Sequence, residues 1–203
     1  MANEAPPASF FNREDESADE LFYSQPRFVE HIDRSTIDAL SAYYADVLAP
    51  GIDVLDLMSS WISHLPDTLE LGRVSGLGMN AQELTANPQL TDWSVHDLNS
   101  QPDLGVQESY DAVVCAVSIQ YLIKPVDVMC SVARALRPNG CIHVAMSHRC
   151  FPTKAIAAFQ QISPQQRAQL VGYYLEQASF HDIEFHDRSP VQGDPLWIVS
   201  AKK

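Results

Sequence analysis

Ile52-Asp53-Val54-Leu55-Asp56-Leu57-Met58-Ser59-Ser60 reads as a short buried strand, Ile52 to Leu57, that carries an acid and runs out into small polar residues. A brief apolar run after a turn signal, here Pro50-Gly51, marks a core strand. A carboxylate on such a strand is costly unless something pairs with it. Asp56 is therefore the first candidate functional residue.

Four similar runs follow, read as strands separated by helical stretches: Arg73 to Gly78, Asp92 to His96, Tyr110 to Val117 and Cys141 to Met146. The fourth strand of the series, Tyr110 to Val117, is continuously apolar after its start, as a central parallel strand should be. Between the fourth and fifth lies a well-punctuated helix, with Pro125 at its first position, Val128, Val132 and Leu136 on one face, and Pro138-Asn139-Gly140 after it. Phe180 to His186 and Leu196 to Ala201 close the chain as two more strands. The nine residues between them, 187–195, are too few for a parallel crossover, so this pair should run antiparallel. The pattern predicts an α/β fold: a Rossmann-like, doubly wound, mostly parallel seven-stranded sheet with an antiparallel C-terminal strand and helices on both faces. Ligands in such sheets bind beyond the carboxyl ends of the strands, near the point where strand order reverses.

The flanks are read more coarsely. Residues 1–20 are polar and acidic and are expected to form a flexible tail, with Phe10 and Phe11 as local anchors, ahead of a domain over 21–203. Ser35 and Asp38 suggest a capping box before a helix that Pro50-Gly51 stops. Lys154 to Gln160 reads as helical, and Ser163 with Gln166 as the capping box of a helix reaching about Ala178.

The 203 residues suit one domain, and 46% hydrophobic residues suffice for a core. No run reaches the ~18 apolar residues of a membrane helix, and the N-terminus has no basic start or apolar segment of a secretion signal. The four cysteines form no CxxC pair, which points to a reducing, cytoplasmic compartment without disulfides. A net charge of −13 disfavours nucleic acid and anionic membrane surfaces as partners. His181 and His186 would fall on opposite faces of a strand, so no metal site is expected. No GxSxG elbow or P-loop lysine motif supports acyl transfer or NTP hydrolysis, and no GxGxxG follows the first strand to support a nicotinamide oxidoreductase.

Five segments in order carry a family resemblance. Val54 to Ser60 resembles VLDLGCGTG, and Val74 to Leu84 resembles VxGxDxSxxxL. His96-Asp97-Leu98 resembles GDL, Ser109 to Cys115 resembles SFDxVxx, and Arg134 to Gly140 resembles RVLKPGG. Together they are similar to the motifs of class I S-adenosylmethionine-dependent methyltransferases, type 11-like, over about Ile52 to Met146. Within that superfamily the chain resembles a small subgroup with DLMSSWxSHLP, GLGMN, DLN, SxQYL and PxKAI, all present here between Asp56 and Ile156.

The resemblance implies a methyltransferase that moves a methyl group from S-adenosylmethionine to a small-molecule acceptor. It implies a cofactor site of Asp56, Met58, Ser59, Ser60, Gly78, Met79, Asn80, Asp97, Leu98 and Ser118. Asp56 would meet the cofactor's amino group, Ser59 and Ser60 its carboxylate, Asn80 the ribose, Asp97 the adenine amino group, and Leu98 the ring. His64, Gln120, Tyr121 and Arg149 are the substrate-side candidates, and Tyr23, Arg27 and His31 form a lid or an aromatic strap. No catalytic base is assigned. The sequence departs from the family at Met58 and Ser60, where glycines are usual, and at Gly78, where an acid usually holds the ribose. Those departures support an alternative, a non-catalytic protein that binds S-adenosylmethionine or S-adenosylhomocysteine as a sensor.

Overall fold

The computed structural model describes residues 5–203. A 3₁₀ turn (Ala8–Phe11) and a one-turn helix α1 (Asp19–Phe22) precede α2 (Arg34–Val47). Then come β1 (Val54–Ser59), β2 (Val74–Gly78), α3 (Ala81–Ala86), β3 (Asp92–Val95), β4 (Tyr110–Ala116), α4 (Pro125–Ala135) and β5 (Leu136–Met146). The chain ends with α5 (Ala157–Gln161), α6 (Pro164–Gln177), β6 (His181–Asp187) and β7 (Trp197–Lys202).

The sheet order is β3-β2-β1-β4-β5-β7-β6. The first five strands pair in parallel, and β7 pairs antiparallel with both β5 and β6. This is the expected mostly parallel sheet with its antiparallel C-terminal pair. Strand order reverses between β1 and β4, so their carboxyl ends open the crevice where a ligand is expected.

Two apolar clusters cover the two faces. Leu55, Leu57, Val113, Cys115, Ile142 and Val144 meet α4 and α6 through Val128, Val132, Val171 and Tyr174. The alternate residues Val54, Ala112, Val114, Ala145 and Ile198 meet α2 through Ile37, Leu40, Tyr43 and Tyr44. The period of two along each strand produces this division.

Four sequence readings need correction. Neither the β1–β2 connection nor the β3–β4 connection contains a helix. After β1 the chain is a loop whose Leu65, Leu69 and Leu71 pack against the α2 face. Pro66 and the left-handed backbone of His64 interrupt any helical run there. The cap of α2 is Asp33, not Ser35: its carboxylate accepts from the Thr36 backbone N–H at 3.0 Å and from the Thr36 hydroxyl at 3.1 Å. The helix expected from Lys154 begins at Ala157, because Lys154 turns inward. By contrast, the Ser163–Gln166 capping box of α6 forms in full.

The fourth correction concerns the acidic segment. Residues 1–4 lie outside the described residues, but the rest is laid on the domain. Phe10 and Phe11 pack on the first cluster. The Asp15 N–H donates to Thr153 O at 2.8 Å. Asp19, only 6% exposed, pairs with Arg13 at 2.8 Å and with the fully buried Lys154 at 3.2 Å. A buried lysine needs such partners, and the tail supplies them.

Candidate functional site

The main cavity lies at the carboxyl ends of β1 to β4, and the N-terminal segment crosses over it. Its floor contains Asp56, Met58, Ser59 and Ser60 from β1, Leu77, Gly78 and Met79 from β2, Asp97 and Leu98 after β3, and Ser118 after β4. Thus nine of the ten predicted cofactor residues share one cavity. Asp56 and Asp97 both line it.

Asp56 is 2% exposed and has no cationic partner among the described residues. It accepts a hydrogen bond from the Ser59 hydroxyl at 2.5 Å. Burial pushes its carboxyl up to about 6, partly offset by hydrogen bonds from the Ser59 and Ser63 hydroxyls. Asp97 uses one carboxylate oxygen to accept from the N–H groups of Asn99 (2.9 Å) and Ser100 (3.3 Å). It therefore caps the turn after β3 and lines the cavity as well.

Met58 and Gly78 form a linked pair. The β1–β2 register slips between Leu57 and Ser59, leaving Met58 as the extra residue of a bulge with φ +60°. Met58 thus adopts the left-handed backbone usual for glycine. The same bulge aims the Ser59 carbonyl at Gly78, where a Cβ would collide with it. Neither departure fills the cavity.

Several expected roles are taken by other contacts. The Ser60 hydroxyl donates to Glu83 at 2.6 Å, and that of Ser59 to Asp56, so neither serine is free for a cofactor carboxylate. Asn80 is the residue of the ten that does not line the cavity. Its side-chain oxygen caps α3, accepting from the Gln82 and Glu83 N–H groups, while its amide donates to Tyr23 O at 2.9 Å. Gln120 is buried and donates to Val117 O at 2.7 Å. Arg149 lines the neighbouring cavity instead and pairs with Asp194 at 2.6 Å. His64 and Tyr121 do line the cavity.

Glu83, which the sequence reading missed, lies in the same corner as Gly78. It is 8% exposed, lines the cavity, and accepts from Ser60 Oγ and from the Arg27 N–H at 2.7 Å. The Asn80-x-x-Glu83 spacing was the available signal, since it reads as a capping box; here the glutamate turns to the strap instead.

The N-terminal strap runs across the carboxyl ends of the strands, tied in chain order. Asp19 accepts from Asn99 Nδ2 at 2.7 Å, Tyr23 O from Asn80, the Arg27 N–H donates to Glu83, and Val29 O accepts from Trp61 Nε1 at 2.9 Å. Tyr23, Arg27 and His31 all face the cavity. The Arg27 guanidinium has no ion pair among the described residues and lies 4.1 Å over the Phe22 ring.

His64 is 5% exposed, has φ +59°, and its Nδ1 is buried without a partner. Burial, with the neighbouring His31, holds it down at about 4, so it is neutral at pH 7. Burial also lowers His31. The helix-free loop that carries His64 is fixed by amides beyond α3: Asn87 Nδ2 donates to Ser60 O (3.0 Å) and Ser63 Oγ (2.8 Å), and Gln89 Nε2 to Leu65 O (2.7 Å).

Comparisons with known proteins bear on the fold. Residues 72–144 match the family described as a methyltransferase domain. No curated protein matches the chain. Among solved structures, an S-adenosylmethionine-dependent methyltransferase from Mesorhizobium loti is similar, with TM-score 0.58 and 17% identity over 82% of this chain and all of that one (100%). Phosphoethanolamine N-methyltransferase 2 of Haemonchus contortus, in complex with S-adenosylmethionine, has TM-score 0.59 and 14% identity over 82% of this chain and 52% of that one. The (4+2)-cyclase SpnF has TM-score 0.62 and 15% identity over 82% of this chain and 81% of that one. The family match spans about a third of the chain, and over the sheet as a whole the fold is that of the S-adenosylmethionine-dependent methyltransferase structures it resembles. The cyclase shows that this fold alone does not fix the reaction, which must be argued from the site.

Proposed function

We propose that the protein transfers a methyl group from S-adenosylmethionine to a small-molecule acceptor. The observation that carries this reading is Asp56: a buried carboxylate with no ion-pair partner among the described residues, at the switch point of the sheet, in a cavity that also presents Asp97 and Glu83. Charging such a buried group is costly until a cation joins it, and the cofactor's ammonium group is one.

When bound, S-adenosylmethionine supplies a methyl carbon already activated by a positively charged sulfur. The residues then have mainly to bind and align. Asp56 takes the ammonium group. Asp97 accepts from the adenine amino group, with Leu98 and Met79 against the ring. Glu83 supplies the ribose-corner carboxylate that Gly78 cannot. The strap from Asp19 to His31 shuts out water. Ser118 and Tyr121, beyond β4, face the acceptor side. The net charge of −13 favours a small molecule over nucleic acid as acceptor.

The sensor alternative rested on Met58 and Gly78. The bulge gives each a structural reason that leaves the cavity open, so neither counts against turnover. The test is incubation with S-adenosylmethionine and the small-molecule fraction of a cell extract, with S-adenosylhomocysteine measured by mass spectrometry. Formation that depends on both protein and extract supports methyl transfer. Binding of the cofactor with no product formed above the protein-free control would favour the sensor.

A further inference from the structure

His64 has no structural task that its surroundings reveal. It makes no hydrogen bond through either ring nitrogen among the described residues, its Nδ1 is sealed from water, and its backbone is in the left-handed region. Seven buried polar side-chain atoms among the described residues lack a partner, and of these only His64 Nδ1 belongs to a residue lining the main cavity. An unsatisfied buried imidazole in a strained loop is expensive, and such features cluster where a ligand completes them.

A second cavity shows which ligand. It opens between residues 29–32 and 148–152 and shares His31, Val117, Tyr121 and Phe151 with the main one. His64 lines the main cavity together with the same His31, Tyr121 and Phe151. The junction is aromatic: Phe151 stacks on Tyr121 with centroids 5.9 Å apart, and His31 meets Phe151 edge-on at 5.6 Å. Flat walls and a neutral hydrogen-bonding imidazole suit a flat, uncharged molecule with an O–H or N–H to offer.

Building on the proposed cofactor reading, we infer that the methyl acceptor is a small aromatic molecule with a protic heteroatom, hydroxyl or amine, hydrogen-bonded to His64. The step balances. The acceptor's X–H bond breaks and its electron pair forms the bond to the methyl carbon. The carbon–sulfur pair stays on sulfur as a thioether. The proton passes to the His64 imidazole and is lost to solvent when the product leaves. No oxidant or metal is required. His64 is thereby a catalytic residue of the proposed reaction.

The test is ligand-observed NMR on protein saturated with S-adenosylhomocysteine, using phenol, aniline and fluorobenzene, which are alike in size while the last has no proton to donate. Phenol or aniline should bind at least fivefold more tightly than fluorobenzene. That preference should vanish in His64→Phe. In wild-type protein, phenol or aniline but not fluorobenzene should shift the His64 ring resonance, which covers the case of a variant that does not fold. Equal binding of the three probes, no binding of any, or an unmoved His64 resonance overturns the inference while leaving the cofactor reading intact. Failure of S-adenosylhomocysteine itself to bind overturns both.

Discussion

The backbone carbonyl of Ser59 occupies the space that a Cβ on Gly78 would need. The Met58 bulge in β1 puts it there, so the unusual residues at 58 and 78 are one structural choice rather than two losses. An acid at the end of β2 is sterically excluded, and Glu83 is a buried carboxylate lining the same cavity.

Gly78→Ala should therefore be destabilising although it adds only one methyl group. Overpacking against backbone that cannot yield costs about 3 kcal/mol. Urea unfolding monitored by circular dichroism measures it. A midpoint equal to that of wild type would show that the bulge relaxes freely.

Asp56→Asn should strengthen the ligand-free protein and abolish its cofactor binding. A folded-state pKa raised from 3.8 to about 6 means that charging Asp56 costs folding free energy. At 1.36 kcal/mol per unit this is about 3 kcal/mol, an upper figure because the asparagine is also polar and buried. The sign is fixed: a raised carboxyl contributes stability below its unfolded pKa and loses it as pH rises through about 6. At pH 7.5 the variant should be about 2 kcal/mol more stable, allowing for the buried amide. Thermal melts with and without S-adenosylhomocysteine check both halves. A variant less stable than wild type would mean that Asp56 already has a charge partner.

Acid should expose an opposing pair of effects. His64 and His143 are each held down at about 4 by burial, so their contribution is present above the unfolded value of 6.5 and is lost as pH falls toward 4. Near pH 5 the unfolded chain binds about two more protons at these histidines, while folded Asp56 binds about one more. The net slope is then about 1.4 kcal/mol per pH unit, with stability rising with pH. His31 adds in the same direction. In Asp56→Asn the slope should double. Urea titrations between pH 4.5 and 6 measure both, and equal slopes would remove Asp56 from the balance.

Lys154→Met should release the strap. The Lys154 Nζ donates to Ser17 O at 2.6 Å and pairs with Asp15 and Asp19, all three from the N-terminal segment. Loss of one partner of a buried pair costs about 3 kcal/mol. Hydrogen exchange should accelerate over residues 15–31 while β4 and α4 keep their protection. Unchanged exchange in the strap would show that its other ties suffice.

Much of the fold was readable because it depends on local pattern. Continuous apolar runs such as Tyr110 to Ala116 announce parallel strands, and the short gap before β7 fixes its direction. The Ser163–Gln166 box is a contact between neighbours in sequence and was read correctly. What was hidden depends on contacts distant in the chain. The anchoring of Asp19 rests on Lys154, and the Glu83 role rests on the strap above it. The cap at Asp33 was missed because Ser35 also fits a capping pattern, whereas Asp33 is joined to Asp194 from far along the chain. The missing helix after β1 was concealed by a motif that normally introduces one. That Asp56, Asp97 and Leu98 would line one cavity was readable because their positions follow from strand ends, whereas Asn80 and Gln120 have polar groups engaged by backbone.

The cavity between Asp56 and the strap is proposed to hold S-adenosylmethionine. Isothermal titration calorimetry with S-adenosylmethionine and with S-adenosylhomocysteine tests it directly. Saturable one-to-one binding at micromolar strength, weakened at least 100-fold in Asp56→Asn and reduced in Asp97→Ala, is the predicted result. No detectable heat and no thermal shift with either compound would contradict the account.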